Sequence, residues 1–357
     1  MEVSRCKIHV DLTKDTETMN SAVRQVCKAV VKEWANVDEH VMQVSHITGG
    51  ITNLLLKVAV SSNGISLESV TVRIFGPNTE TVIDRQRELL AIHHLSTSGF
   101  GAELIGLFEN GMVQSFIVAR TLTPSDISTP KIAARIAREL RNFHEADIPM
   151  SKEPQLWVDI SKFMSEASTI SFEDPKKQET FLSISFLELL EEIGELKRAC
   201  DSLDAPIVFA HNDLLAGNVM FNYETDKMYL IDFEYSCYNY RGYDIANHFN
   251  EYAGFECDYS LYPSKDVQYF FFRHYLNGLS SKKVKVEITE AELSKLYIET
   301  SCYALASHIY WAVWAILQAK FSSIDFDYLD YFFLRFGEYK RKKQEFLSLM
   351  PSHQINE

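Results

Sequence analysis

The sequence predicts an α+β chain of two lobes, a β-rich N-terminal lobe followed by an α-rich C-terminal lobe. At 357 residues the chain is longer than one hydrophobic core usually serves. Short apolar runs divided by glycine fill residues 41–120, whereas apolar residues recur at helical spacing in 131–200 and from 240 onward. We therefore predict one domain at residues 1–121, ending in a hinge, and a second at 122–357, with a cleft between them as the natural site.

The N-terminal lobe is predicted to be an antiparallel sheet with one helix. Its strand candidates from residue 41 are VMQVSHITGG, ITNLLLKVAV and ISLESVTVRIFG, and TVIDRQRELLAIHHL has a helical face. Two further strands, AELIGLFEN and MVQSFIVAR, flank Asn110-Gly111, a strong hairpin dipeptide. The two prolines of TLTPSDISTP predict a hinge or linker. Residues 1–40 show no clear pattern beyond a helix that would pack on this lobe.

The C-terminal lobe is predicted to be mainly helical. KIAARIARELRNFHEA opens it with isoleucine, alanine and leucine at three- and four-residue spacing. Two short apolar runs, PIVFAH and MYLIDF, then surround a polar loop. Helices return with ITEAELSKLYIETSCYALASHIYWAVWAILQAKF, and the charged segment EYKRKKQEF follows.

Composition excludes several classes of function. The chain has 35 basic and 49 acidic residues, a formal net charge of −14, which disfavours a nucleic-acid groove or a polybasic membrane surface and suits a cationic small substrate. The six cysteines have no metal-site or disulfide-framework spacing, which predicts reduced thiols. We find no secretory signal and no confident membrane span. We expect a cytoplasmic protein without stable membrane insertion, and a homodimer is left open.

The most informative segment is HNDLLAGN at residues 211–218, followed by IDFE at residues 231–234. Phosphoryl transfer from ATP needs a carboxylate near the acceptor hydroxyl and oxygen ligands that hold Mg²⁺ against the phosphates. Asp213, Asn218 and Asp232 have the right types and order for these roles. The pattern is similar to the protein-kinase signature H-R-D-x-x-x-x-N with D-F-G, except that Asn212 and Glu234 replace the arginine and the last glycine.

Three segments closely resemble choline/ethanolamine kinases: HNDLLAGNVM, IDFEYSCYNYRGYDIANHFNEY and WAVWAILQAKFSSIDFDYLDY. The likeness spans the C-terminal lobe and extends more weakly to the N-terminal glycine turn. It implies the bilobal protein-kinase-like fold, with ATP and Mg²⁺ as cofactors. By the same resemblance Asp213 is the catalytic base, and Asn218, Asp232 and Glu234 organise the metal and the ATP phosphates.

The resemblance also implies an ATP-binding set in the N-terminal lobe. The turn Thr48–Asn53 is similar to the family's phosphate-covering turn, and backbone N–H groups can approach phosphates where glycine carries no side chain. Arg73 occupies the strand position of the phosphate-contacting lysine of protein kinases, and Glu88 on the next helix would orient it. The hinge would contact adenine through its backbone. The ATP-binding candidates are Gly49, Gly50, Thr52, Asn53, Arg73, Glu88, Ser115 and Ile117.

The acceptor site is predicted from aromatic pairs at helical spacing, Trp311 with Trp314 and Tyr328 with Tyr331. Such spacing alone is typical of a helical core. The resemblance implies instead that these residues surround the substrate ammonium by cation–π contact and charge attraction. The full predicted set consists of Asp213, Tyr235, Glu251, Trp311, Trp314, Tyr328 and Tyr331. Asp244 is predicted to cap a helix, with Glu251 two turns further on the same face.

Within the family, the run NHFNEYAGFECDYSLYP is more similar to ethanolamine kinases, because choline kinases more often resemble NHFCEW or NHFCEM there. Asn250 is therefore the marker for ethanolamine. The predicted reaction is ATP-dependent phosphorylation of the ethanolamine hydroxyl to phosphoethanolamine, the first step of phosphatidylethanolamine synthesis by the CDP-ethanolamine route. Choline or dual activity, another small-molecule kinase on this fold, such as an aminoglycoside or methylthioribose kinase, and a non-catalytic scaffold remain alternatives.

Overall fold

The chain folds as two compact units. The computed structural model describes residues 3–47, 53–62, 65–76, 79, 82–278, 287–322 and 324–350. The first unit comprises the described residues within 1–81 and 92–119, and the second those within 82–91 and from 120 onward. Residues 82–91, which include the start of a helix, therefore belong to the second unit although they lie between the two stretches of the first.

The first unit is a mixed sheet with the strand order β1-β5-β6-β4-β3-β2. Its strands are β1 (Ser4–Arg5), β2 (Met42–His46), β3 (Asn53–Ser62), β4 (Ile65–Phe75), β5 (Leu104–Phe108) and β6 (Gly111–Ser115). Among the described residues of this sheet, β1 pairs with β5 in parallel and the remaining pairs are antiparallel. Alternate residues of β4, namely Val70, Val72 and Ile74, are buried, as a sheet with one covered face requires.

A helix near the start of the chain covers this sheet. Helix α1 (Thr16–Val30) begins after Asp15, whose side chain accepts hydrogen bonds from the backbone N–H groups of Glu17 and Thr18. Its buried residues Val23, Val26 and Val30 share a hydrophobic core with β3 and β4. The helix expected within residues 1–40 is therefore present and packs on the β-rich unit.

The second unit is mainly helical with two small antiparallel sheets. Its helices are α2 (Arg85–Thr97, whose last six residues belong to the first unit), α3 (Pro124–Ile127), α4 (Pro130–His144), α5 (Leu156–Ala167), α6 (Pro175–Leu182), α7 (Phe186–Asp201), α8 (Arg241–Asn250), α9 (Lys265–Asn277), α10 (Glu290–Phe321) and α11 (Tyr328–Leu347). The strands are β7 (Arg120–Thr121), β8 (Ile207–Ala210), β9 (Val219–Asn222), β10 (Lys227–Leu230) and β11 (Cys237–Tyr240). Their orders are β10-β9-β7 and β11-β8.

Helix α10 forms the centre of the larger core. Every residue from Glu299 to Gln318 is buried, so this helix is enclosed on all sides rather than amphipathic. It packs against α5, α7, α8, α9 and α11. The charged segment EYKRKKQEF belongs to α11, where Lys340 pairs with Glu188 and Lys343 with Glu192 on α7.

The segment 121–130, predicted to be a hinge or linker, is largely helical, because both of its prolines begin helices. Thr123 and Asp126 form a capping box around α3, and Pro124 and Pro130 are the first residues of α3 and α4. Proline suits this position since its missing N–H has no partner in the first turn and its φ is already helical.

Cysteines are free in the structure. All six lie among the described residues, and the Sγ atoms of Cys200 on α7 and Cys302 on α10 are 3.3 Å apart in the core. Within the described part of the chain, no helix has both the length and the apolar content needed to cross a membrane.

Gly106 is expected to be intolerant of any side chain. A Cβ at this position of β5 would lie 2.4 Å from Cβ of Val30, so α1 can approach the sheet only because this residue is glycine. We expect Gly106→Ala to lower the free energy of unfolding by about 1–3 kcal/mol through overpacking, as measured by urea denaturation. The matched control is Gly337→Ala on α11, where nothing lies within 4 Å of the added Cβ, and a gain of about 0.5–1 kcal/mol is expected. Equal effects at both positions would contradict this interpretation.

Candidate active site

The segment that carries Asp213 leaves β8 in a tight, fully buried turn. Asn212 has a φ of +66°, a left-handed conformation that asparagine tolerates better than most residues. Its side chain donates to the carbonyl oxygen of Tyr235 at 2.9 Å and accepts from Nδ2 of Asn239 at 2.8 Å. This turn is therefore held to the segment that follows Asp232, and the two halves of the predicted motif lie side by side.

Asp244 also holds this turn in place. Its two carboxylate oxygens accept the backbone N–H groups of His211 and Asn212, each at 2.7 Å, and Nε2 of His144 lies 2.9 Å away. The predicted capping role of Asp244 is wrong. Strand β11 runs directly into α8, so the helix begins at Arg241 and Asp244 lies within its first turn.

Asp213 is buried and hydrogen-bonded to Asn218. Nδ2 of Asn218 donates to Oδ2 of Asp213 at 2.9 Å and to its carbonyl oxygen at 2.8 Å. Burial is the largest cause that raises the pKa of Asp213 well above its ordinary value, followed by the charges of Glu251, Asp232 and Glu234. The bond from Asn218 acts in the opposite direction. Asp213 thus lies within electrostatic reach of Glu251 on one side and of the IDFE carboxylates on the other.

Three carboxylates form a compact acidic cluster. One oxygen from each of Glu88, Asp232 and Glu234 lies within 4.8 Å of the other two. Asp232 has a φ of +63°, a strained value for a residue with a side chain and one that is common at functional sites. Carboxylate oxygens are the ligands that Mg²⁺ prefers, and an excess of negative charge in a buried position suits a divalent cation. The cluster contains two of the three predicted metal ligands and adds Glu88.

Arg85 borders this cluster. Its Nη1 lies 2.6 Å from Oε2 of Glu88 and 3.9 Å from Oε2 of Glu234. Arg85 precedes Glu88 by one helical turn of α2, which brings both side chains to one face. The predicted pairing of Glu88 with Arg73 stays a prediction.

The predicted acceptor aromatics do lie together. Ring centroids follow one another at 5.3 Å for Tyr235 and Trp311, 5.2 Å for Trp311 and Trp314, and 5.8 Å for Trp314 and Tyr328. Nε1 of Trp314 donates to the hydroxyl of Tyr235 at 2.8 Å, which fixes both rings. The spacing that is typical of a helical core therefore produces one continuous aromatic cluster next to the IDFE segment.

The cluster continues to Tyr331 through a residue that the sequence analysis did not select. Phe326 contacts Tyr328 at 4.9 Å and Tyr331 at 5.8 Å between ring centroids, and Phe255 lies 6.1 Å from Phe326. Phe326 and Phe255 remain 37 % and 38 % exposed, so the cluster reaches the surface here. Oε1 of Glu251 accepts from Nη1 of Arg335 at 3.0 Å.

Asn250, the predicted marker for ethanolamine, is the last residue of α8 and contacts α10. Its Nδ2 donates to the carbonyl oxygen of Ala304 at 3.1 Å, and the side chain is buried. The residue thus contacts the helix that carries Trp311 and Trp314, and its effect on acceptor choice stays a prediction.

The ATP-binding candidates of the first unit are placed only in part. Gly49, Gly50 and Thr52 lie outside the described residues. Asn53 opens β3 opposite Phe75, and Arg73 is a buried residue of β4 opposite Leu55 and Met112. Oγ of Ser115 accepts the N–H of Glu103 at 2.9 Å, and the carbonyl oxygen of Ile117 accepts from Ala119 at 3.1 Å. Their contacts with ATP stay predictions.

Several residues of this site escaped sequence reasoning because their types are common on surfaces. Arg85 and Arg335 lie in helices rich in charge, where a solvated arginine is the usual interpretation. The one available signal was spacing, since Arg335 follows Tyr331 by four residues and Arg85 precedes Glu88 by three.

The fold and the site together define a phosphotransferase of the protein-kinase-like class. The family model described as choline/ethanolamine kinase matches residues 44–340. A probable ethanolamine kinase of Arabidopsis thaliana is 57 % identical over 344 residues, which cover 96 % of this chain and 91 % of that protein. A probable choline kinase 2 of the same organism is 33 % identical over 337 residues, covering 91 % and 93 %.

A solved structure agrees with this class. The ethanolamine kinase of Plasmodium vivax superposes with a TM-score of 0.81 at 31 % identity, covering 92 % of this chain and 91 % of that one. The chain belongs to the choline/ethanolamine kinase family. The predicted fold and the predicted likeness to ethanolamine kinases are confirmed.

His248 is expected to make the protein sensitive to acid. It is buried on α8 and its Nδ1 lies 2.8 Å from the carbonyl oxygen of Leu214, to which only a protonated Nδ1 can donate. Burial lowers its pKa from 6.5 to about 4. Between these values the unfolded chain binds a proton that the native state does not, so stability falls as pH falls from 6.5 to 4.

The measurement is urea denaturation at pH 7.0 and at pH 4.5. We expect this histidine to account for about 2–3 kcal/mol of the loss between the two values. His248→Asn keeps a donor near Nδ1 but cannot take up a proton, so the variant should lose correspondingly less on acidification. The same pH dependence in both proteins would contradict this role.

Proposed function

We propose that this protein is an ethanolamine kinase that transfers the γ-phosphoryl group of ATP to the hydroxyl of ethanolamine, giving phosphoethanolamine, the entry step of phosphatidylethanolamine synthesis by the CDP-ethanolamine route. The observation that carries the proposal is the pairing of two buried carboxylates, Asp213 and Glu251, beside one aromatic cluster. An amino alcohol has a hydroxyl at one end and an ammonium at the other. The two carboxylates suit these two ends.

Asp213 acts on the hydroxyl. It receives the proton that the acceptor loses while the acceptor oxygen forms a bond to the γ-phosphorus and the bond to the bridging oxygen of ATP breaks. Its position is set by Asn218, which donates to Oδ2 and leaves Oδ1 for the hydroxyl. The elevated pKa makes Asp213 a stronger proton acceptor than an exposed aspartate.

Asn218, Asp232 and Glu234 are proposed to hold Mg²⁺, with Glu88 as a further ligand from the same cluster. When bound, the metal neutralises the charge of the transferred phosphoryl group and its leaving group. Arg85 stays at the edge of the cluster and keeps the remaining carboxylate charge balanced.

Tyr235, Trp311, Trp314, Tyr328 and Tyr331 are proposed to receive the ammonium end. Cation–π attraction is strongest over tryptophan and grows when water is excluded. Because aromatic faces accept primary and quaternary ammonium alike, this cluster also supports choline as an alternative acceptor. The higher identity to the ethanolamine kinase of Arabidopsis than to its choline kinase favours ethanolamine.

The remaining predictions follow the same proposal. Residues 1–121 would bind ATP through Gly49, Gly50, Thr52, Asn53, Arg73, Ser115 and Ile117, and residues 122–357 would supply catalysis and acceptor binding. The protein would act in the cytoplasm without a nucleic-acid partner.

The first test is turnover of ATP with Mg²⁺ against ethanolamine, its methylated derivatives, choline and unrelated amino sugars, with phosphoethanolamine identified by ³¹P NMR. We expect a strong preference for ethanolamine. Asp213→Asn should lower kcat by about 10²- to 10⁴-fold because the proton acceptor is lost, while the melting temperature stays close to that of the wild type. A preference for choline would make choline, and not ethanolamine, the acceptor. No turnover of any amino alcohol would refute the proposal.

The metal assignment is tested by binding rather than by activity. Mn²⁺ stands in for Mg²⁺, and electron paramagnetic resonance reports its free concentration. We expect Glu88→Gln and Asp232→Asn each to weaken Mn²⁺ binding by roughly tenfold, because each removes one charged oxygen ligand. Glu192→Gln, which alters an acidic residue paired with Lys343, is the control and should leave affinity unchanged. Wild-type affinity in Glu88→Gln would remove Glu88 from the ligand set.

A further inference from the structure

Arg335 on α11 lies at the point where the acceptor groups converge. We propose that Arg335 is a positioning residue, which fixes Glu251 directly and Trp311 through Ser307 and Asn247, and thereby selects acceptors with N–H donors. The proposal rests on the proposed function and adds to it the way in which a primary ammonium is preferred.

The contacts of the guanidinium are those of a residue with a fixed orientation. Arg335 is 1 % exposed, and its Nη1 donates to Oε1 of Glu251 at 3.0 Å and to the hydroxyl of Tyr331 at 3.1 Å. Its Nη2 donates to Oγ of Ser307 at 3.1 Å. Arginine presents its donors in a rigid planar fork, so three partners on three elements are set at fixed positions relative to one another.

From Ser307 the same network reaches the turn that carries Asp213. Oγ of Ser307 donates to Oδ1 of Asn247 at 2.8 Å, and the same oxygen accepts Nε1 of Trp311 at 2.6 Å. Nδ2 of Asn247 then donates to the carbonyl oxygen of Asn212 at 3.2 Å. One hydrogen-bonded network therefore joins Glu251, which is proposed to meet the ammonium, to the turn that bears Asp213, the proposed proton acceptor.

This arrangement recognises an acceptor by its N–H donors more than by its net charge. A Glu251–Arg335 ion pair carries no net charge, so it attracts a distant cation weakly. Arg335 occupies Oε1, and no residue in the described part of the chain donates to Oε2 of Glu251. A primary ammonium can donate to that oxygen, whereas a quaternary ammonium has no N–H and gains only from the aromatic faces.

The test compares Arg335→Met with Arg335→Lys, using KM and kcat for ethanolamine and for choline. In the methionine variant we expect KM for ethanolamine to rise about 10- to 100-fold, the range for losing one oriented charged hydrogen bond, with kcat within about threefold. KM for choline should change by less than about threefold. Lysine keeps the charge without the fork, so Arg335→Lys should give an intermediate KM.

A second variant, Ser307→Ala, tests the same proposal and leaves the buried Glu251 paired with Arg335. It breaks the link between Arg335 and Asn247, and KM for ethanolamine should rise by a smaller factor of about 3 to 10 with choline again little affected. It keeps the proposal open to refutation if Arg335→Met fails to fold.

The control for loss of a buried ion pair is Arg241→Met. Arg241 pairs with Glu299, whose side chain is 2 % exposed, through Nε at 3.1 Å and Nη2 at 2.5 Å. This variant should lose thermal stability but keep the wild-type ratio of kcat/KM for the two acceptors. Equal losses for ethanolamine and choline in the Arg335 variants, or an unchanged KM for ethanolamine, would overturn the proposal. Wild-type protein without amino-alcohol turnover would refute the proposed function instead.

Discussion

The carboxylate of Asp244 accepts two backbone N–H groups, and the turn bearing Asp213 depends on it. These bonds to His211 and Asn212 satisfy donors that would otherwise be buried without partners in a segment that is neither helix nor strand. Burial acts to raise the pKa of Asp244, but hydrogen bonds and charge attraction from His144 and His211 outweigh it, so the pKa is lowered. An ionised group is thus stable at the centre of the unit, and the left-handed turn at Asn212 can persist.

Charge balance is the second constraint on this unit. Asp213, Glu234, Glu251 and Glu299 are all buried, and burying an unpaired carboxylate is costly. Arg335 offsets Glu251, Arg241 offsets Glu299, and Arg85 lies near Glu88 and Glu234. Each of the buried carboxylates Glu234, Glu251 and Glu299 thus has an arginine within 4 Å.

Local sequence was sufficient for the parts of the site that lie close together along the chain. Asp213, Asn218 and Asp232 fall within one stretch of two strands and a loop, so their order predicts their proximity. The aromatic cluster also followed from spacing, since Trp311 with Trp314 and Tyr328 with Tyr331 share helix faces. Family likeness supplied the roles, which spacing alone does not distinguish from those of a core.

Residues whose function depends on distant partners were missed or misassigned. Arg335 meets Glu251 across 84 positions, and no local pattern reveals such a contact. Asp244 was assigned to a cap because the direct passage from β11 into α8 leaves no loop to mark the start of the helix. Pro124 and Pro130 look the same in the sequence whether they belong to a linker or begin a helix. Only the capping contacts of Thr123 distinguish these two possibilities.

Helix α10 has a consequence for the biosynthesis of the protein. Its 32 residues span about 48 Å, and the continuously buried stretch Glu299–Gln318 completes a core to which α5, α7, α8 and α9 contribute. All four of these helices leave the ribosome before residues 290–321 do. Until then the surfaces that pack on α10 stay uncovered, so the larger core is completed only late in synthesis and the nascent chain exposes apolar surface in the meantime.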